Sequence, residues 1–337
     1  MADMKSDTSE TGPAPAKKNH FRRFWWVYLL VFLVIATVVI VPSVLLVAVP
    51  KLAQQRLNGA KLTIDGISIT DTQPESLVLA INSTIKADDS VHATINPFRG
   101  TLYLADVDPP LAFAYVDFPQ TTSSSLQAVN VTQEMRILDV GNLTAFTTAL
   151  LSNDFVSVQV KGDTHIHVRG ISRAYSATFD KTVTLKGLNN FEGLSISDPS
   201  ISALSPTNNF NGTAHIPNQS VLVLEIGNTT FTNYFNGTAI GQTYINNLVL
   251  YPGNNTFPIT ADIQQLPIIN ALTEEPFCEL NGKLPFQLSG NNVVNKGQAL
   301  SYFSDALAAS NQSVTIDLSE AAKRVGIPVG CATSSSN

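Results

Sequence analysis

The sequence predicts a mostly β protein, with one N-terminal transmembrane helix followed by two tandem antiparallel β-sandwich modules that each carry about one short helix. Three observations predict this fold class. One uncharged apolar run lies near the N-terminus, the rest of the chain alternates apolar and polar residues with a period of two, and one helix-then-strand pattern occurs twice. The expected segments are a disordered cytosolic tail at 1–20, a signal-anchor helix at 21–50, modules at 60–175 and 180–318, and a short helix with a flexible tail at 319–337.

The apolar run covers residues 24–49 and contains no charged residue. As a helix it would be about 39 Å long, because a helix rises about 1.5 Å per residue, and a bilayer's hydrocarbon core is about 30 Å thick. It is longer than the apolar part of an ordinary signal peptide. Trp25, Trp26 and Tyr28 stand where an aromatic belt would lie at the headgroups. The run therefore predicts a membrane anchor, with a cleaved signal and a buried soluble helix as the alternatives.

Basic residues indicate the orientation of this anchor. Those before it are Lys17, Lys18, Arg22 and Arg23, and those close behind it are Lys51, Arg56 and Lys61. Cations concentrate on the cytosolic side of a span. We therefore expect a type II protein with a cytosolic N-terminus and a lumenal ectodomain.

Nine Asn-x-Ser/Thr sequons follow the anchor, and each predicts a glycosylation site on a lumenal surface. They begin at Asn82, Asn130, Asn142, Asn211, Asn218, Asn228, Asn236, Asn254 and Asn311. In "AVNVTQ", Val129 and Val131 are predicted to point inward and Asn130 outward. The same register places Asn82 and Asn311 outward, so sugar position and strand pattern agree at these three sites.

Short segments of alternating or β-branched residues, separated by turn residues, predict the strands of the two modules. They are 61–65, 75–85, 128–133, 155–160, 164–168, 181–185, 220–226, 244–250 and 311–318.

Two helices are predicted from helical spacing of apolar residues, in "NLTAFTTALLS" and "ALSYFSDALAAS". Each is followed by a strand that opens with Asn. Phe146 matches Phe303 at an offset of 157, and Val156 matches Val314 at 158. This offset predicts a duplicated module.

Composition excludes several classes of function. Residues 1–50 carry five basic and three acidic residues, so the remainder carries 15 basic and 23 acidic ones and has a net charge of −8. An acidic ectodomain argues against nucleic-acid binding. Cys278 and Cys331 are too few for a disulfide scaffold, and the sequence leaves open whether they pair in an oxidising lumen.

Catalytic signatures such as a nucleophile elbow, a His-Glu-x-x-His motif or a P-loop are absent from the sequence. We therefore predict no catalytic residues, no cofactor and no metal site. His165 and His167 share a strand face but lack a third ligand. Asp106 and Asp108 lie in a Pro-ended loop, and the acids at 274, 275 and 279 are interpreted as a wet surface.

Several stretches resemble a family of fungal type II membrane proteins with an ectodomain of unknown function. They are "RRFWWVYLL", "AINSTI", "HATINPF", "VTLKGLNNFEGLSI", "GTAHIPNQSV" and "LVLYPGNNTFPI". The resemblance extends over nearly the whole chain after residue 17. It implies a vacuolar or secretory membrane, a distant yeast relative that acts in ending autophagy, and modules similar to the group-2 late-embryogenesis-abundant domain. It carries no catalytic motif.

Three function classes follow. The first is a membrane-tethered, non-enzymatic module whose β-sandwiches bind an apolar ligand or lipid near the bilayer. Its motive is that strands such as "SLVLAI" and "VLVLEI" are partly apolar on both faces, a pattern that equally describes central strands covered on both sides. The second is a lumenal scaffold or regulatory protein that recruits a protein partner through an exposed aromatic patch around "TNYF" (232–235), for which ordinary core packing is the alternative. The third is a glycan-active enzyme, for which no carboxylate pair can be placed in one site. We favour the first.

Overall fold

In a computed structural model, residues 20–86, 93–122, 127–202, 205–309 and 311–331 are described. The predicted cytosolic tail, apart from His20, and the last six residues of the predicted flexible tail lie outside them. The chain divides into two units, Met1–Leu52 and Ala53–Asn337.

The first unit contains the predicted anchor. Helix α1 is His20–Ser43, and a π-helical segment follows at Val44–Ala48. Helix α2, Val49–Gly59, begins in the first unit and ends in the second. Among the described residues, one helical stretch, Trp25–Gly59, is long and apolar enough to cross a membrane. Pro42 lies inside α1, and the π-helical turn begins two residues after it. Such irregularities are expected where proline interrupts the helical hydrogen-bond ladder.

The second unit is built on two sheets. The larger has eleven strands: β1 Lys61–Thr70, β2 Ser76–Lys86, β7 Gln127–Arg136, β10 Ser195–Ile201, β11 Phe210–Asn218, β12 Leu222–Phe235, β13 Thr238–Leu250, β14 Gly253–Ile263, β15 Lys283–Asn295, β16 Gln298–Ala299 and β17 Gln312–Asp317. Their order is β10-β11-β14-β13-β12-β1-β2-β7, and β15 pairs with β12, β16 and β17.

The smaller sheet has six strands: β3 Ala93–Ile95, β4 Phe98–Leu104, β5 Leu111–Phe118, β6 Thr121–Thr122, β8 Phe155–Val168 and β9 Ala174–Lys186. Their order is β5-β4-β8-β3-β6, with β9 paired to β8.

Within its described residues, the second unit contains four further helices. They are α3 Val140–Ser152, α4 Gln265–Thr273, α5 Ser301–Ala308 and α6 Ser319–Arg324, with 3-10 turns at Asn189–Phe191 and Phe277–Leu280. Helix α3 begins after Asp139, whose carboxylate accepts a hydrogen bond from the backbone N–H of Asn142 at 2.8 Å. This is an N-cap, which satisfies a donor that the helix itself cannot.

The mostly β fold class, the two predicted helices α3 and α5 and the short helix α6 are confirmed. The period-two patterns hold as well, since Leu77, Leu79, Val129 and Val131 are buried. The predicted strands 155–160 and 164–168 are one strand, β8. Helix α4 was missed, although Ile268 and Leu272 have helical spacing.

Strand β1 continues past its predicted end at residue 65. Leu62 and Ile64 face inward before residue 66, and Ile67 and Ile69 face inward after it. The step from Ile64 to Ile67 is three residues instead of two, because the pairing with β2 is irregular between Ile64 and Gly66. A bulge inserts one extra residue and so shifts the period of the strand. The simple alternation used for the prediction therefore stops at the bulge.

The predicted modules 60–175 and 180–318 contribute strands to the same sheet and side chains to the same hydrophobic core. The boundary between them falls inside β9, which pairs with β8 from His167↔Ala174 to Phe155↔Lys186. Strand β1 also joins β12 in parallel, at Ile67↔Leu222, and α3 packs against α5. One hydrophobic core includes buried residues from both predicted modules. The modules are therefore joined by a sheet and a core, which local patterns do not predict.

Hydrogen bonds of two side chains, Gln54 and Lys181, connect the C-terminal end of α2 to β9. The Gln54 side-chain amide donates to the carbonyl of Thr178 at 2.8 Å and accepts from its N–H at 3.0 Å. The Lys181 ammonium donates to the carbonyls of Asn58 and Ala60 at 2.7 and 2.8 Å. Burial lowers the pKa of Lys181. A cation at this position satisfies carbonyls that a helix leaves free at its C-terminal end.

Candidate ligand cavities

The first of two apolar cavities lies between the sheets, and we call it cavity I. Its walls come from β1 and β2 on one side and from β4, β8 and β9 on the other, including Ile67, Ile81, Phe98, Val160 and Phe179. About 120 Å³ is open to the centre of a water-sized sphere. Since a single water needs roughly 10–15 Å³ by this measure, the cavity is many waters in size.

Phenylalanines form one part of the wall of cavity I. The rings of Phe98 and Phe118 stack with centroids 5.0 Å apart, and Phe179 lies 5.3 Å from Phe98. One of its polar lining residues, Ser83, donates to the carbonyl of Val129 at 2.7 Å. The cavity therefore presents an apolar surface.

The second cavity, cavity II, lies against the part of the large sheet formed by β10 to β15 and β17. Helix α4 supplies Ile268 and Leu272 to its wall, and the strands supply Phe231, Ile245 and Ile259. About 90 Å³ is open to the centre of a water-sized sphere. None of its lining residues is charged.

The lining of cavity II includes several polar side chains, of which Asn233 is the most informative. Asn233 lines it and is 4% exposed. Its Oδ1 accepts a hydrogen bond from the Thr243 hydroxyl at 2.9 Å, whereas its Nδ2 has no hydrogen-bond partner among the described residues. A buried donor without a partner costs free energy, so native structures rarely keep one without a reason.

The C-terminal segment covers part of cavity II. Ile327 lines the cavity, Ile327 and Val329 pack on the second hydrophobic core, and the N–H of Gly330 donates to the carbonyl of Leu272 at 2.9 Å. Cys278 and Cys331, whose pairing the sequence left open, are joined by a disulfide with Cα atoms 4.9 Å apart. The segment is therefore tied covalently beside α4.

Eight of the nine predicted glycosylation sites have accessible side chains. Exposed sites are Asn82, Asn130, Asn211, Asn228, Asn236, Asn254 and Asn311, and Asn142 is half-buried. The Asn142 amide donates to the carbonyl of Ala112 at 2.8 Å. Sequon asparagines other than Asn82, Asn130 and Asn311 are therefore accessible as well.

Asn218 corrects the prediction of nine sites. It is 2% exposed, its Nδ2 donates to the carbonyl of Leu222 at 2.8 Å, and its Oδ1 accepts from the N–H and the hydroxyl of Ser220 at 2.9 and 2.6 Å. A glycan is attached through Nδ2, so a modified Asn218 cannot occupy this position. The sequence contained the signal, because Asn218 has the same parity as the buried Ala214 and Ile216.

The other polar candidates do not assemble into a site. Among the described residues, no group of three or more His, Cys, Asp or Glu side chains could hold a metal ion. His165 is exposed and His167 half-buried on β8. The Asp106 carboxylate accepts from the N–H of Ser157 at 2.7 Å and so stabilises a loop. Glu274, Glu275 and Glu279 are exposed.

The residues around "TNYF" do not form the exposed aromatic patch that was one expectation for this segment. Phe235 is 5% exposed and packs against Phe277 and Phe286, with centroids 4.9 and 5.5 Å away. Phe231, Asn233 and Phe235 share one parity on β12, and all three are buried. Sequence reasoning therefore missed Asn233 by treating its segment as exposed.

A polar cluster outside the cavities ties β1 to β12 and β15. The Glu225 carboxylate accepts from the N–H of Asp71 at 2.7 Å and from the Asn295 amide at 2.8 Å. Lys296 forms an ion pair with Asp71 and lowers the pKa of that carboxyl. Burial raises the pKa of Tyr302, whose hydroxyl donates to the carbonyl of Gln73 at 3.1 Å. Each of these groups has a hydrogen-bond or ion-pair partner within the fold, which indicates that the cluster connects the strands and is not a reaction centre.

Three solved structures align with the chain at low identity and low TM-score. A red sea bream transglutaminase aligns at 10% identity with a TM-score of 0.22, over 74% of this chain and 30% of that one. A Mobiluncus mulieris adhesin with intramolecular disulfide, isopeptide and ester cross-links aligns at 9% identity and 0.19, over 77% and 97%. The CupB6 tip adhesin of Pseudomonas aeruginosa aligns at 8% and 0.19, over 76% and 98%.

The comparison with curated proteins finds no significant match. One family model does match, over residues 111–233, and this segment supplies Phe113 to cavity I and Phe231 and Asn233 to cavity II. Over this part of its length, the chain is similar to a family described as a protein of unknown function, DUF3712.

Proposed function

We propose that the chain is a non-enzymatic type II membrane glycoprotein whose lumenal β-sandwiches bind lipid near a vacuolar or secretory membrane. The observation that carries this proposal is the pair of apolar cavities, one in each half of the second unit. Ligand sites in proteins are typically concave and mostly apolar. A minimal core would instead be filled by side chains to the packing density of an organic crystal.

The lining of the cavities favours hydrocarbon. Their volumes of about 90 and 120 Å³ are smaller than the roughly 150 Å³ of a cavity that binds benzene, so each has room for a short segment of an acyl chain. A void lined in this way is costly to hydrate, since it offers water few hydrogen-bond partners. One hydrocarbon chain per cavity would restore the contacts that the lining residues otherwise lack.

The membrane part of the proposal is supported by the helix Trp25–Gly59 and by seven exposed sequons. The alternative role, a lumenal scaffold that recruits a protein partner, was motivated by an aromatic patch at residues 232–235, in which Phe235 is buried and Tyr234 half-buried. That alternative is therefore retained as an outcome of the test and is not proposed.

The test is photo-crosslinking of the full-length chain in its membrane with a fatty-acyl probe that carries a diazirine and an alkyne. Labelled peptides are then mapped by mass spectrometry. We expect label on peptides that line cavity I and cavity II in addition to the apolar helix. Label confined to residues 25–51, which any bilayer probe would reach, would overturn lipid binding by the ectodomain and favour the scaffold.

A matched pair of variants on α4 gives specificity to this test. Ile268→Phe adds a ring inside cavity II, where Ile268 is 6% exposed, and Leu266→Phe adds the same ring where Leu266 is 68% exposed. We expect the first to reduce labelling of cavity II and the second to leave it unchanged. Equal labelling of the two variants would contradict occupation of the cavity.

A further inference from the structure

We infer that cavity II takes a single acyl chain carrying a neutral hydrogen-bond acceptor, such as an ester carbonyl, which accepts from Nδ2 of Asn233. This inference rests on the proposed lipid binding and specifies its ligand at one of the two cavities. Cavity I is expected to take a hydrocarbon chain without such a requirement.

The unpartnered donor is the first observation. Asn233 is 4% exposed on β12, between the buried Phe231 and Phe235. Thr243 occupies the carbonyl end of its amide at 2.9 Å, so the amino end remains for a ligand. A site built around a buried polar group rewards the ligand that pairs with it, because leaving that group unpaired costs free energy.

Neighbouring amides of the lining already have partners, which makes Asn233 distinct. The Asn209 side chain donates to the carbonyl of Ile263 at 2.8 Å and accepts from its N–H at 2.9 Å. The Gln265 amide donates to the carbonyl of Ser202 at 3.0 Å. Of these three lining amides, Asn233 is therefore the one whose donor is left for a ligand.

Charge sets the chemical class of the acceptor. The lining of cavity II contains no Lys, Arg or His, so an ionised carboxylate there would have one amide donor and no countercharge. Burying such a charge unpaired is far more costly than burying a neutral carbonyl. A neutral ester is therefore favoured over a free fatty acid at neutral pH. The volume of about 90 Å³ has room for a segment of one chain and not for two chains.

The experiment is competition against the photo-probe on the full-length chain in phosphatidylcholine vesicles. The competitors are an alkane, its methyl ester and the free fatty acid of the same chain length, at equal mole fraction. In the wild-type chain we expect the ester to compete about tenfold better than the alkane for cavity II, which is the effect of one buried hydrogen bond. At cavity I we expect the ester and the alkane to compete about equally. Their ratio at cavity I corrects for any difference between the two competitors in solubility in the bilayer.

Two variants separate the donor from general packing. Asn233→Leu together with Thr243→Val removes the amide and its partner without leaving a new unpaired group, and should bring the cavity II ratio to that of cavity I. Thr243→Val alone keeps the Asn233 amide and should keep the preference. Labelling of cavity I reports that each variant is folded.

The outcomes are distinguishable. Label in cavity II with equal competition by ester and alkane in the wild-type chain would overturn the acceptor preference and leave lipid binding intact, whatever the variants do. A preference that survives in the double variant would also overturn the role of Asn233. Label in neither cavity would remove the proposed function and this inference with it.

Discussion

The side-chain amide of Asn218 donates to the carbonyl of Leu222 at 2.8 Å, across the turn that joins β11 to β12. The same side chain accepts from Ser220, the third residue of its own sequon. The atoms that make this sequon recognisable to a glycosylating enzyme are therefore the atoms that close the turn. A sequence motif for modification serves here as a structural element.

Occupancy should consequently differ between two sequons of one strand. Asn211 and Asn218 both lie on β11, the first exposed and the second 2% exposed. In the folded protein we expect glycan at Asn211 and none at Asn218. Site-specific occupancy is measured by glycopeptide mass spectrometry after deglycosylation in heavy-oxygen water. Glycan at Asn218 would contradict the fold of this turn, and bare asparagine at every site would contradict a lumenal ectodomain.

Removal of the disulfide should weaken the closure beside cavity II. Cys278 and Cys331 are 53 residues apart in sequence, and a cross-link over such a loop typically contributes about 2–4 kcal/mol by restricting the unfolded chain. We expect Cys278→Ser with Cys331→Ser to lower the free energy of unfolding by about this amount. Denaturant unfolding measures it, with the reduced wild-type chain as the control. An unchanged midpoint would show that the C-terminal segment is held by its apolar contacts alone.

Loss of the Glu225 carboxylate should loosen the junction of β1 with β12. Glu225→Ala leaves the N–H of Asp71 and the amide of Asn295 without their acceptor. We expect a loss of about 1–3 kcal/mol in the free energy of unfolding, since each group is partly buried. Glu134→Ala, at an exposed position of β7, is the control and should change little. Equal effects of the two substitutions would contradict a structural role for the cluster.

Acid should weaken the start of α6. The Asp317 carboxylate accepts from the hydroxyl and the N–H of Ser319 at 2.6 and 3.0 Å, and these bonds hold the pKa of Asp317 below its usual value. A depressed pKa means that the contribution is present above the unfolded pKa, about 3.9, and is lost as pH falls through the folded value. The effect is small because the carboxylate is exposed.

The corresponding measurement compares unfolding of the wild-type chain and of Asp317→Asn from pH 6 to pH 2.5. We expect the variant to be less stable at pH 6 and the difference to shrink below about pH 4, where the wild-type carboxylate becomes protonated. Ser319→Ala should give a smaller change in the same direction. A difference that is constant over the whole range would exclude the titration of Asp317 as its cause.

Local patterns predict much of this fold because they are set by one segment at a time. The apolar run, the parity of Leu77 and Leu79 on β2, and the spacing of Phe146 in α3 each reflect a face that must be buried. The alternation of buried and exposed residues along the strands also predicts the burial of two asparagines that were not recognised. It places Asn218 with Ile216 and Asn233 with Phe231, so both buried asparagines were predictable from alternation alone.

Pairings between distant segments could not be predicted in this way. Strand β1 meets β12 across about 155 residues, at Ile67↔Leu222, and nothing in either segment encodes the other. The bulge before Gly66 reverses the parity of β1, which ends the alternation on which a strand prediction depends. Cavities I and II are formed by such pairings, so their existence is a property of the assembled sheets.

Native mass spectrometry of the full-length chain, purified from its own membranes and enzymatically deglycosylated, tests lipid binding most directly. Bound lipid is read from the mass that remains after detergent and bilayer lipid are removed by collisional activation. We expect one or two single-chain adducts on the wild-type and Leu266→Phe chains, and one fewer on Ile268→Phe. A bare protein mass for all three, unchanged after incubation with acyl esters, would contradict lipid binding by the ectodomain.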